Sequence, residues 1–426
     1  MTFRPSLIAS AVLICHAPAA LSAGAALPVD VALDPDHPAL FNRPRVTVTV
    51  CEAAPQPGSM TGCVEVPNVL LDTGSTGLVL SAVALPRGAF LPPAPHAKGL
   101  PRRDIHYCGR FRSDVVWGHA ISAWVGLGDL YTTRPIGIAL LRPLPDDRPS
   151  GCRPPWATGD NYSVNDLPAG INGILGVAPS PNTCSLFRDG LCPTSDDHAP
   201  FYEREHGRKR RDKGGWKPVV PPPELELVNP VAAFPVGAND GVVLHMGALG
   251  PAEHKAARAT GTLHLGVEAW SGELFPRPTQ RIDLKNPMRL LPATIDHPKR
   301  ASSCQAAAWP DSGTSYIMAP KAFSVSMPAK GPASWSLWLD SNAAADAVVR
   351  HGPYDLRFVG PCGGSGTGSR RAAVETTYKS GNVLLLGMPF FYGRAIAFGI
   401  AEDPRKVLDR APAPGFLMIG DTAADG

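Results

Sequence analysis

Two short stretches of the chain each combine a carboxylate, a glycine and two hydroxyls: Asp72-Thr73-Gly74-Ser75 and Asp311-Ser312-Gly313-Thr314. A glycine has no Cβ, so the backbone there can turn sharply and admit a second strand at close range. The hydroxyls of Ser75 and Thr314 are placed to donate to the carboxylates, and those of Thr73 and Ser312 to reach the opposite turn. Average composition gives about 0.02 matches to this pattern in a chain of this length. Two matches, one per half, are therefore a signal. If the turns face each other, like charges a few ångströms apart cannot both ionise cheaply, and one proton is shared by the pair. The ionised member would activate a water while the protonated member polarises a carbonyl. That is the chemistry of peptide hydrolysis through a tetrahedral intermediate, with neither a metal nor a covalent acyl-enzyme.

The elements that must hold these turns are strands. Residues 44–50 alternate apolar and polar side chains, many β-branched, and residues 64–71 run as a second strand into Asp72. Residues 78–80 resume it, and further strands are expected at 115–125, 137–141 and 173–177. The second half repeats this outline, with strands at 225–234, 241–246, 261–267 and 382–386. Its best helix candidate is 341–350. The 47 prolines and 43 glycines disfavour long helices and favour short strands joined by tight turns. Between the halves, residues 184–223 read as an inter-lobe connection. Its basic run Arg208-Lys209-Arg210-Arg211 is a solvated loop before Pro221-Pro222-Pro223.

Residues 1–25 read as a secretory signal peptide. A weakly basic start precedes a short apolar run, and Ala23-Gly24-Ala25 offers a small-residue cleavage site. No other segment approaches about 20 uninterrupted apolar residues, so the mature chain is expected to be soluble, without stable membrane insertion. About 400 residues then remain, enough for two domains. The expected division is 26–222 for an N-terminal lobe, including the connection, and 223–426 for a C-terminal lobe. A net charge of +3 carries no basic footprint, so nucleic acid is not an expected partner. Of nine cysteines, Cys15 leaves with the signal peptide, and the even remainder reads as four disulfides in an exported chain, periplasmic or extracellular. Sequence leaves the connectivity open; Cys51–Cys63, Cys108–Cys152, Cys184–Cys192 and Cys304–Cys362 is the assignment that crosses no lobe boundary. No cysteine pair has CxxC spacing, no metal set is expected, and no Ser/His/Asp set can be assembled from the twelve histidines.

The two turns, with Ile174-Leu175-Gly176 and Leu385-Leu386-Gly387, resemble the pepsin family of aspartic proteases. There, a hydrophobic-hydrophobic-Gly segment crosses behind each aspartate. The similarity runs from about Val46 to Ile400. It implies an all-β, bilobal acid-protease fold, with two barrel-like lobes and a central cleft. It also implies catalytic Asp72 and Asp311, turn support from Thr73, Gly74, Ser75, Ser312, Gly313 and Thr314, a polypeptide substrate, no cofactor and a monomer. Residues 69–80, Trp117-Gly118, 229–234 and 389–394 resemble, more narrowly, a bacterial family of exported pepsin-like proteins. Three departures stand out. Pro310 precedes the second aspartate where an apolar residue is usual, Gly77 stands where asparagine is common, and Val79 stands where a tryptophan supports the flap. Tyr107 and Phe111 are the flap candidates; the plainer reading of each is hairpin packing. Two other functions compete with the protease: a catalytically silent scaffold that binds a protein or glycan, and a Gly/Pro-rich β protein whose aspartates are solvent turns. Burial of the aspartates separates the last from the others.

Overall fold

The structure is a computed structural model. It describes residues 24–33, 40–56, 59–86, 104–111, 114–141, 148–153, 163–165, 167–187, 190–195, 198–204, 215–249, 258–275, 279–284, 290–296, 304–320, 332–340, 350–359, 374–378, 383–407 and 409–421. The signal peptide but for Gly24 and Ala25, the basic run 208–211, Cys362 and nearly all of the expected helix at 341–350 lie outside them. The chain is all-β and bilobal. Among the described residues one sheet threads 17 strands and a second threads seven.

The first half opens with β1 (Ala26–Ala32), β2 (Pro44–Cys51), β3 (Cys63–Asp72) and β4 (Thr76–Ser81). The hairpin β5 (Ile105–Arg110) and β6 (Asp114–Leu127) follows. β3 and β4 flank the strand Gly173–Val177. It runs parallel to β3, with Leu175 opposite Leu71 and Gly176 opposite Asp72, and antiparallel to β4. Leu71, Leu78 and Leu175 are all fully buried, so apolar packing fixes the register that delivers Asp72 to the turn. The second half repeats the arrangement: Val383–Leu386 lies parallel to Cys304–Pro310 and antiparallel to Ile317–Pro320, with Pro310 opposite Leu386. Gly176 and Gly387 let these crossing segments pass close against the aspartate turns. A Cβ on Gly387 would lie 2.1 Å from the Tyr316 carbonyl oxygen, and one on Gly176 would lie 2.6 Å from the Ser75 backbone.

A run of antiparallel strands joins the halves. β1 pairs with Arg258–Leu265, which pairs with Gly241–Met246, then Arg394–Gly399, Phe416–Asp421 and Ile282–Asp283. β1 was not anticipated. Nor was the helix Val267–Leu274 that ends the 258–265 strand, where Gly266 adopts φ 88°. Its first amides, Val267 and Glu268, donate to the Asp240 carboxylate at 2.7 and 2.8 Å, a cap supplied from far along the chain. Residues 225–234 are not a strand. Asn229 accepts from the Val231 N–H at 3.1 Å and Pro230 opens a 3-10 turn, Pro230–Ala233. Part of the segment read as a connection is built into the first half: Phe201–Arg204 pairs with β5.

Three expected disulfides are formed: Cys51–Cys63, Cys108–Cys152 and Cys184–Cys192. Cys51 and Cys63 are directly opposite on β2 and β3. Cys304–Cys362 lies outside the described residues. Among those residues no helix is long and apolar enough to cross a membrane.

Candidate active site

Each aspartate is held by its own turn in the same way. Asp72 accepts from the Gly74 N–H at 2.8 Å and the Ser75 hydroxyl at 2.5 Å. Asp311 accepts from the Gly313 N–H at 3.0 Å and the Thr314 hydroxyl at 2.6 Å. In both turns one carboxylate oxygen takes the amide and the other the hydroxyl, so each plane is fixed at two points.

The turns are then tied to each other. The Ser312 N–H donates to Thr73 Oγ1 at 3.0 Å and the Thr73 N–H donates to Ser312 Oγ at 3.1 Å. The Thr73 hydroxyl goes on to the Pro310 carbonyl at 2.9 Å, and the Ser312 hydroxyl to the Leu71 carbonyl at 2.7 Å. Four buried bonds therefore relate the halves by an approximate twofold. Trp309 breaks the symmetry by donating its indole N–H to the Thr73 carbonyl at 3.1 Å. Pro310 does not divert its strand: it keeps parallel register with Leu386, and the next amide, that of Asp311, donates to the Leu386 carbonyl at 3.0 Å. Only the proline N–H is missing.

This grip brings the two carboxyl groups close together, each against the other turn's glycine: a Cβ on Gly74 would lie 2.8 Å from Asp311 Oδ1. A Cβ on Gly313 would lie 2.7 Å from Asp72 Oδ1 and 3.2 Å from Asp311 Oδ1, so both oxygens border the same small space. Asp72 is 6% exposed and Asp311 is half-buried; neither stands at a solvent-facing loop tip. Burial first, and the negative charge of Asp72 second, push the Asp311 carboxyl up to about 8. Sharing a proton with Asp72 acts in the same direction, against the opposing donors Thr314 and Gly313.

Arg43, which no motif singles out, lies within electrostatic reach of both aspartates, with Asp114 and Tyr316. Desolvation lowers its own pKa while these anionic neighbours oppose the shift. Next to it, Asn42 donates to the Ser315 carbonyl at 3.1 Å and accepts from the Tyr392 hydroxyl at 2.8 Å. The segment before β2 is thereby fastened to the second turn.

Tyr107 and Phe111 sit on and just past β5. The Phe111 N–H bonds the Asp114 carbonyl at 2.9 Å, closing the hairpin tip. Tyr107 is buried in the same apolar cluster as Val79, with its ring 5.5 Å from that of Phe201. Burial raises its hydroxyl to about 12. Phe111 is partly buried against the same cluster. The hairpin-packing reading describes both contacts. On the opposite face of the hairpin, Asp104, His106 and His119 come together, a set that sequence reasoning missed. Its trace was the Asp-x-His spacing, which puts 104 and 106 on one face of a strand.

Comparison with known proteins adds the following. A search of curated proteins finds no match. Among solved structures the chain is similar to the aspartic proteinase from Irpex lacteus, with a TM-score of 0.45 and 11% identity, covering 95% of this chain and 99% of that one. A family model matches residues 22–414, a span that holds both aspartate turns, the strands behind them and all of the sheet joining the halves but its strand Phe416–Asp421; the chain belongs to the family described as "Protein of unknown function (DUF3443)".

Proposed function

We propose that the chain is an exported aspartic endopeptidase in which a water held by Asp72 and Asp311 attacks the peptide carbonyl. The observation that carries this is the paired carboxyl group: two aspartates supported in the same way by their own turns, drawn together by the Thr73–Ser312 bonds, with one pKa pushed up to about 8. At acidic to neutral pH the pair keeps one proton. The protonated carboxyl polarises the substrate carbonyl, the ionised one takes a proton from water, and the proton passes to the leaving amine as the intermediate collapses. The two turns need no metal or cofactor for this. The substrate is a polypeptide, and the protein acts as a monomer in the periplasm or outside the cell, without nucleic-acid partners or membrane insertion. The resemblance to exported bacterial pepsin-like proteins and the three disulfides support that setting.

A silent scaffold is the second reading, and Arg43 is the observation that favours it. A half-buried cation within electrostatic reach of the pair favours the doubly ionised form, which cannot act as acid and base together. The test is to incubate purified protein with a denatured protein across a pH series, with and without a transition-state inhibitor of aspartic proteases. Cleavage that the inhibitor stops, and that falls by several orders of magnitude in Asp72→Asn and Asp311→Asn, is expected. The double variant should be little worse than either, because the pair works as one unit. Folded protein that cleaves at no pH would leave the scaffold.

A further inference from the structure

The β5–β6 hairpin gathers two histidines and an aspartate from three separate positions. His106 on β5 stands directly opposite His119 on β6, and Asp104 lies two residues before His106, hence on the same face. Asp104 Oδ1 is 3.2 Å from His119 Nδ1 and 3.5 Å from His106 Nδ1. All three candidate ligand atoms lie within 4.8 Å of one another. Hydrogen bonding alone accounts for this poorly. A good N–H···O contact spans about 2.7–3.2 Å, and only one of these two reaches that range. The two aspartate–histidine edges do match a metal site: ligands at about 2.0–2.2 Å from a tetrahedral ion stand about 3.3–3.6 Å apart.

The surroundings hold the ligands in place. The His106 ring is buried, stacked on Trp117 at 5.0 Å and 20°, with the edge of Trp216 at 4.5 Å. The His119 ring lies 4.0 Å from it. The Asp104 and His119 side chains keep 32% and 30% of their surface, so an ion can enter and a water can complete its shell. Arg204, whose guanidinium lies 5.5 Å over the Trp216 ring, adds positive charge near Asp104.

We propose that Asp104, His106 and His119 bind a divalent late first-row cation of the zinc class, on the face of the β5–β6 hairpin opposite Tyr107. Two imidazoles and a carboxylate are a borderline donor set that suits such ions over magnesium or calcium. Bound there, the ion joins the two strands whose other face carries Tyr107. The proposal does not depend on the protease reading.

The test uses the full chain, stripped with chelator and then titrated with zinc by calorimetry and with cobalt by visible absorption. One ion per chain is expected, with a rise in Tm that grows with zinc concentration. Losing even an outer-shell partner costs about 10–100-fold in affinity, so Asp104→Asn and His119→Ala should each weaken binding by more than about 100-fold. His198→Ala, which removes an exposed histidine outside the cluster, should leave it unchanged. Circular dichroism checks that each variant is folded. Binding of neither ion, binding that survives either ligand substitution, or binding that follows His198 overturns the proposal.

Discussion

Thr73 and Ser312, from opposite halves of the chain, exchange a reciprocal pair of hydrogen bonds, each backbone amide donating to the other's hydroxyl at 3.1 and 3.0 Å. Each hydroxyl then donates to a carbonyl of the other half. Neither residue touches the reacting atoms, yet together they set the spacing of the two carboxyl groups.

The cost of losing this grip can be measured. Thr73→Val and Ser312→Ala each leave a buried amide and a buried carbonyl without their partner, a penalty of about 1–3 kcal/mol apiece. Urea unfolding should show both variants destabilised. The double variant should lose less than the sum, because the two share bonds. Strict additivity would mean that the halves are held together elsewhere.

Asp311 makes a prediction about pH. Its pKa is raised from an ordinary 3.8 to about 8, chiefly by burial and then by Asp72. The folded state thus binds this proton more tightly than the unfolded chain. The stability it contributes is full below the unfolded value and is lost as pH rises through about 8. Over that window the Tm of the wild type should fall relative to that of Asp311→Asn. Parallel curves for the two proteins would contradict the shift. Proteolysis should die away over the upper part of the same window, as the shared proton leaves.

Arg43 pulls the other way, favouring ionised carboxylates. Arg43→Met should move both limbs of the pH–rate profile upward, by up to about 1 unit, with the folded structure retained. An unmoved profile would mean that the charge is screened from the pair.

Gly387 and Gly247 form a contrast. A Cβ on Gly387 would meet the backbone oxygens of Tyr316 and Thr314 at 2.1 and 2.5 Å, whereas one on Gly247 meets nothing within 4 Å. Gly387→Ala should destabilise by about 1–3 kcal/mol or more and reduce activity, because the displaced backbone is that of the Asp311 turn. Gly247→Ala should change neither by a measurable amount. Thermal melts of the pair, read with activity, check this.

What could be read from the sequence was what repeats or alternates. The aspartate turns, the glycines behind them and the strands with β-branched alternation were legible because short-range pattern determines them. Pro310 looked more disruptive than it is: a proline at the last position of a strand removes one N–H, and the carbonyl that Thr73 needs is still in place. Features held by distant residues were not legible. The helix at Val267 depends on a cap from Asp240, and β1 depends on a partner strand in the other half. Residues 225–234 look strand-like in composition but are bent by Asn229 and Pro230. Arg43 and the Asp104–His106–His119 cluster acquire meaning only when the sheet folds them against their neighbours.

The placement of β1 bears on the order in which the molecule can assemble. Ala26 pairs with His264 and Ala32 with Arg258, so the earliest strand waits for one of the later ones. During synthesis the ribosome must release residue 265 before that register can close, and the chain's contact order is correspondingly high. An isolated fragment ending near residue 222 would leave most of β1 without its partner, an open edge inviting pairing with other chains. The two lobes, although each carries its own aspartate turn, are therefore not two independent folding units: the first is finished only by the second.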